Sequence, residues 1–127
     1  MSRMISPGMA EGEAVVSPEP IGFYGGIDID TGIVIEKDHP LEGQCVTGKI
    51  LVFPRGKGST VGSYVIYGLQ KNQVGPAAVV NEETETIVAT GVILAGIPCV
   101  DQVDISQFKT GDVLRVDADK GEVEKIR

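Results

Sequence analysis

A chain of 127 residues, 42% hydrophobic and 23% charged, is long enough to bury one core and too short for two, so a single domain over 1–127 is expected. With 11 Lys and Arg against 18 Asp and Glu, the net charge of −7 excludes a binder of the nucleic-acid backbone, whose affinity rests on clustered cations. The lack of Trp, with only three Phe and three Tyr, also removes the stacking platforms of single-strand binders.

Along the chain, "MSRMISPGMAEGE" has no apolar signal core, and no apolar run approaches the ~20 residues that cross a bilayer. Cys45 and Cys99 stand far apart, outside any CxxC spacing. That points away from zinc and disulfide frameworks and towards a reducing cytoplasm. "GGIDIDTG" at 25–32 opens like a calcium loop, but Thr31 takes the third acidic position and no acidic residue follows at the required distance. Two readings stay open: a turn in which Asp30 bonds nearby backbone and Gly32 supplies unusual dihedrals, or a loop lining a site. "GIVIE" (32–36), "GKILVF" (48–53) and "PAAVV" (76–80) are short, rich in Val and Ile and bounded by Gly, as strands are.

His39 in "KDHP" is the only histidine, so a histidine metal cluster or a Ser–His triad is not available. A structural role before Pro40 and a role in a site both remain open. "GQCVTGKI" at 43–50 meets the GxxxxGK spacing of a phosphate loop but places Ile50 where Ser or Thr would hold Mg²⁺. It also runs into a predicted strand, whereas phosphate needs the free N–H groups of a helix start.

"TVGSYVIYGLQK" at 60–71 repeats apolar residues at spacings of three and four, with an equally good period of two. A cap at Ser59 or Thr60 and the polar exit favour a helix. "NEETE" (81–85) reads as a solvated turn before a second helix, "ETIVATGVILAG" (85–96), with an acidic start and a Gly exit. "GDVLRVDADKGEVEKI" at 111–126 alternates, turns at "ADKG" and resumes, as a β-hairpin does. Mixed short strands with one or two helices predict a compact α/β or α+β domain with a partly closed sheet.

The chemistry concentrates in "FPRGKGSTVGSYVIY", residues 53–67. Glycines before a helix start, with Arg55 and Lys57 beside them, would offer donors to a carboxylate or phosphate despite the acidic chain. The same field would favour an ionised Ser59 hydroxyl as a proton acceptor, although serine needs strong local help for that. A glycine loop that merely precedes a capped helix is the other reading.

The run from "FYGGIDIDTGIVIEKDHPLEGQCVTGKILVFPRGKGSTVGSYVIYGL" through "PAAVVNEETETIVATGVILAGIPCVD" to "GDVLRVDADKGEVEKI" resembles the small, swivelling-domain subunits of the aconitase X family, over about residues 22 to 127. The resemblance implies a swivelling β/β/α domain with a partly closed, mixed β-sheet core, like the mobile domain of aconitase. It implies a hydro-lyase subunit, active only with a large subunit that carries a [4Fe-4S] cluster. The implied reaction is dehydration of (R)-5-phosphomevalonate to trans-anhydromevalonate 5-phosphate in archaeal isoprenoid synthesis. Another hydroxy acid, such as a hydroxyproline, and a non-catalytic anion-binding role are the alternatives.

In this resemblance Ser59 matches the proton-accepting serine, with Arg55, Lys57, Gly58 and Thr60 as substrate contacts. Gly25, Gly26 and Asp28 match the family's GG-x-D loop and are expected to face the cleft, as is His39. Aconitase itself carries a carboxylate-binding arginine just after the corresponding serine pair; Val61 stands there instead. Charge neutralisation must then come from Arg55, Lys57 or the partner. Two separated cysteines cannot supply the three or four thiolates a cluster takes, which agrees with a divided active site.

Overall fold

A computed structural model describes residues 2–127. Seven strands, β1 (Arg3–Ser6), β2 (Met9–Val16), β3 (Ile50–Phe53), β4 (Ala78–Asn81), β5 (Cys99–Asp101), β6 (Val113–Asp117) and β7 (Glu122–Lys125), form one mixed sheet in the order β1-β5-β4-β3-β2-β6-β7. Strands β2, β3, β4 and β5 run parallel, and β1, β6 and β7 pair antiparallel. Helices α1 (Gly62–Lys71) and α2 (Thr86–Ala95) make the β3–β4 and β4–β5 crossovers, the link parallel strands require.

The sheet is curled into a half-barrel, and the sequence explains why. β1 and β2 are four places apart in the sheet, about 19 Å if it were flat. Only Pro7 and Gly8 join them, and that link spans no more than about 11 Å. The sheet must therefore bend until its ends approach. Gly8 N–H donates to Asp119 at 3.1 Å and Ser2 to the Gly121 carbonyl, closing β1 onto the β6–β7 corner.

Strict alternation in β3 and β4 divides the core. Leu51, Phe53 and Val79 join Ile66, Leu69, Val88 and Val92 under the helices, while Ile50, Val52, Ala78 and Val80 meet Phe108, Leu114 and Val116 on the other face. Gly91, an unfavourable residue in a helix interior, lies where a Cβ would come within 2.6 Å of the Ile66 side chain. It lets α1 and α2 cross closely. Among the described residues no helix is long and apolar enough to cross a membrane.

Three expectations change. "GIVIE" is no strand: Ile33 and Val34 make only isolated bridges, to Cys45 and Ile27, because the excursion between β2 and β3 lies outside the sheet and has no neighbour to pair along. "NEETE" is not wholly solvated: Asn81 ends β4, and both it and Thr84 are buried. Finally, the residue capping α1 is Val61, whose side chain caps nothing, rather than Ser59 or Thr60.

Behind these elements lies a buried polar network. Asp101, with no exposed surface, accepts two hydrogen bonds from Arg3 at 3.0 and 2.8 Å and one from Thr84 N–H at 2.9 Å. Thr84 Oγ1 donates to Asn81 Oδ1 at 2.8 Å, and Asn81 Nδ2 to the Phe53 carbonyl. The Cys99 thiol lies against Thr84, and burial pushes it up to about 12. A raised pKa means that ionisation favours the unfolded chain. The neutral thiol's contribution is intact below the ordinary thiol range near 9 and is lost as pH rises through about 12. Urea midpoints should thus fall more steeply with alkaline pH in the wild type than in Cys99→Ala, and a thiol reagent should label exposed Cys45 at once and Cys99 only on unfolding.

Candidate active site

The loop that follows β3 leaves the carboxyl end of the parallel strands, where sheets of this kind place their ligands. It is strapped down before it reaches Ser59. Arg55 O accepts from Ile21 N–H at 3.2 Å, and Lys57 N–H donates to Ile21 O at 3.0 Å. Phe23, next on that segment, packs edge-on against Phe53 with ring centroids 5.8 Å apart. Pro54 O accepts from both Glu82 and Glu83 N–H at 3.1 Å, tying the loop to the turn held by Asp101.

Beneath the loop, the Glu85 carboxylate caps α2, accepting from Ile87 and Val88 N–H at 2.9 and 3.0 Å. Gly56 sits on that cap: a Cβ there would fall 2.5 Å from Glu85 Oε1 and 2.7 Å from the Val88 side chain. Gly56→Ala should therefore push Glu85 off the helix end and lower stability by about 1 kcal/mol, the size of a lost cap. Chemical denaturation of the chain measures it.

Past Gly58, whose φ is +88°, the chain climbs into α1 with Ser59 and Thr60 exposed. Ser59 Oγ accepts from Val61 N–H at 3.2 Å and keeps its own proton free to donate. Ser63, by contrast, is buried and donates to Thr60 O at 3.0 Å. The amides that open α1 are already occupied: Gly62 bonds to Ser59 O, Ser63 to Thr60 O, and Tyr64 and Val65 to Val61 O. The free donors lie one step earlier. Among the described residues no acceptor engages the amides of Gly58, Ser59 and Thr60. Unpaired N–H groups in a glycine turn can receive an anion. Gly58 lines a cleft with Lys57, while Thr60 lines a separate hollow with Ile87 and Thr90.

The cleft at Gly58 is shallow, about 240 Å³, and is lined by Gly22, Tyr24, Gly25, Gly26, Glu36, Lys57 and Gly58. The fold thus brings the Gly25–Gly26 turn, distant in sequence, against Lys57 and Gly58. Lys57 Nζ reaches Glu36 Oε2 at 3.0 Å across the cleft, both side chains partly exposed.

The other expected residues do other work. Asp28 accepts from Asp30 N–H at 2.8 Å and Thr31 N–H at 3.3 Å, a turn built by its own carboxylate. His39 is buried: Nδ1 accepts from Leu41 N–H at 3.0 Å and Nε2 lies 3.1 Å from Pro20 O. Both ring nitrogens are occupied, so His39 pins the excursion instead of facing the cleft. Arg55 lies outside the cleft lining, 3.7 Å from Glu82. Among the described residues no group of three His, Cys, Asp or Glu could hold a metal ion.

Comparison with known proteins bears directly on this geometry. A family model described as the aconitase X swivel domain matches residues 1–125. The chain belongs to the aconitase X swivel-domain family. Among similar proteins, the phosphomevalonate dehydratase small subunit of Thermococcus kodakarensis is 60% identical over 96% of this chain and 92% of its own length. That of Methanosarcina acetivorans is 52% identical over 98% of this chain and 89% of its own. A crystal structure titled Thermococcus kodakaraensis aconitase X (holo-form) superposes with a TM-score of 0.98 at 58% identity, covering 99% of this chain and 96% of that one.

Three parts of the candidate site in this aconitase X swivel domain were missed in the sequence. Glu36 and Tyr24 line the cleft, and Glu85 supports the loop. Glu85 had a signal, since it heads a helix with free amides to fill. Glu36 had none: its partner Lys57 is 21 positions away, and no local pattern joins them.

Proposed function

We propose that this chain is the small subunit of a phosphomevalonate dehydratase and that Ser59 is its proton acceptor. The observation that carries the reading is the near-full-length likeness to small subunits bearing that name. The substrate of the proposed reaction is (R)-5-phosphomevalonate. Ser59, as the alkoxide, takes a proton from the carbon next to the carboxylate, and the C–H electron pair becomes the new C=C bond. The hydroxyl leaves the neighbouring carbon with the C–O electron pair and takes a proton from solvent to become water, while Ser59 later returns its proton to solvent. The product is trans-anhydromevalonate 5-phosphate.

The loop suits this role. Ser59 is exposed and free of side-chain partners that would hold its hydroxyl, and the unpaired amides of the Gly58–Thr60 turn are donors of the kind that favour an oxyanion. The same donors, with the Gly25–Gly26 turn, are the proposed contacts to an anionic group of the substrate. Thr60 continues the row of unpaired amides, while Arg55, Asp28 and His39 lie outside the cleft lining.

Two separated cysteines, Cys45 exposed and Cys99 buried, fall short of the thiolates a cluster takes, and the reading places an iron–sulfur centre on a larger subunit. Such a centre, when bound there, would supply Lewis-acid assistance to departure of the hydroxyl. Anaerobic co-purification with the large subunit tests the reading. The complex, and neither chain alone, should dehydrate the 5-phosphorylated substrate. A complex that instead turns over an unphosphorylated hydroxy acid and ignores phosphomevalonate would overturn it.

A further inference from the structure

The cleft beside the Ser59 loop is lined by an anion of the protein's own. Lys57 is held by Glu36 at 3.0 Å, so the cation expected to receive substrate carries a resident counterion in the free chain. The arrangement is built from both sides. The Lys57 stem lies along Gly22, and the Glu36 carboxylate reaches over Gly26, its Oε1 3.4 Å from where a Cβ would stand. Glu36 N–H also donates to Gly26 O at 3.2 Å, and Glu36 O accepts from His39 N–H at 3.3 Å. The backbone of Glu36 is therefore fixed, and only its side chain is free to leave.

We propose that Glu36 is a placeholder: its carboxylate occupies, next to Lys57, the position that an oxyanion of the substrate takes on binding. The inference rests on the reading of the cleft as the substrate's anion subsite. The exchange is of like for like, one carboxylate for a substrate carboxylate or phosphate. The incoming group has something Glu36 does not use: the unpaired amide of Gly58, which lines the cleft, followed along the chain by the unpaired amides of Ser59 and Thr60 at its margin. An anion that can bond Lys57 and those amides together displaces Glu36, whereas one that reaches only Lys57 gains nothing over the resident pair. Glu36 is thus a specificity-determining residue: it raises the threshold for anions of the wrong shape without touching the reacting carbon.

The placeholder makes a prediction of definite sign. Removing its charge should tighten anion binding, whereas removing a residue that merely positions Lys57 should loosen it. Glu36→Gln keeps the size and the hydrogen bond to Lys57, and its partly exposed site tolerates the change. In the assembled enzyme Glu36→Gln should lower KM about two- to fivefold, the scale of a partly exposed ion pair, with kcat within twofold. Lys57→Gln should raise KM, and adding Glu36→Gln to it should change nothing further, because the competition exists only while Lys57 is there. Mevalonate lacking the 5-phosphate separates the two oxyanions: if its KM falls equally in Glu36→Gln, the carboxylate occupies the subsite; if the gain needs the phosphate, the phosphate does. A rise in KM for Glu36→Gln, or the same effect with and without Lys57, would overturn the proposal.

A second measurement keeps this apart from the reading of function. Titrating the full chain with inorganic phosphate, followed by amide NMR, should shift Gly25, Gly58, Ser59 and Thr60, with tighter binding in Glu36→Gln. Shifts confined to other residues, or weaker binding in the variant, overturn the placeholder even if the complex is an active dehydratase. If the phosphate result holds and the complex does not dehydrate its substrate, the cleft stands and the reaction assignment fails.

Discussion

Ser59→Ala in the assembled enzyme is expected to lower kcat by about 10²–10⁴ with little change in KM, the signature of a base that acts only in the transition state. The structure makes the variant a clean one. Ser59 is exposed, and its hydroxyl accepts a single bond, from Val61 N–H, so alanine leaves no cavity and no buried polar group. Surface changes of this kind stay within about 0.5 kcal/mol. Unfolding of the variant chain should therefore match the wild type, and gel filtration should show the complex intact. Near-normal turnover would remove Ser59 from the chemistry, and loss of the complex would move its role to assembly. Ser63→Ala is the matched control: it lies one turn away but is buried on Thr60 O, so it should affect stability more than kcat.

The second large effect is expected at a distance from the cleft. Asp101→Ala should destabilise the chain by about 3 kcal/mol, because it removes charge-assisted bonds worth about 1.5–3 kcal/mol and leaves a buried donor unsatisfied. The abandoned donor is Thr84 N–H. Arg3 adds less than a fully buried partner would, since its side chain is half exposed and turns to water. The Asp101 carboxylate raises the pKa of Arg3, mainly through their hydrogen bonds, so the Arg3 guanidinium keeps its charge. Asp101 holds Thr84, Thr84 precedes the Glu85 cap, and Gly56 rests on that cap. The variant should also reduce kcat in the complex, and equilibrium denaturation together with the assay reads both. A full loss of stability with unchanged kcat would mean that the Ser59 loop is positioned independently of the network.

Much of the fold was legible because local and global signals agree in it. The Val-rich runs at 48–53 and 76–80, the helical spacing of 60–71 and the "ADKG" turn each match an element of the sheet or its crossovers. "GIVIE" misled because β-branched residues report a preference for a pleated, half-buried surface, and here the surface is a loop packed on the core through Val34. The helix cap misled for a similar reason. Ser59 has the right side chain, but the first turn winds tightly on the carbonyls of 59–61, which moves the free amides back into the loop.

What the sequence determined by itself is the chemistry available: an acidic chain, two isolated cysteines, and one basic, glycine-rich loop before a helix that carries a serine. These depend on residue identity and close neighbours, which local reading captures. What only the tertiary structure decided is which groups meet. The short β1–β2 link curls the sheet, the strap at Ile21 lays the loop beside the Gly25–Gly26 turn, and Lys57 finds Glu36 across the cleft. His39, equally plausible in sequence, is turned inward onto Pro20 and Leu41, and Asp28 closes its own turn. Contacts between distant segments follow from packing the whole core, so no spacing along the chain announces them.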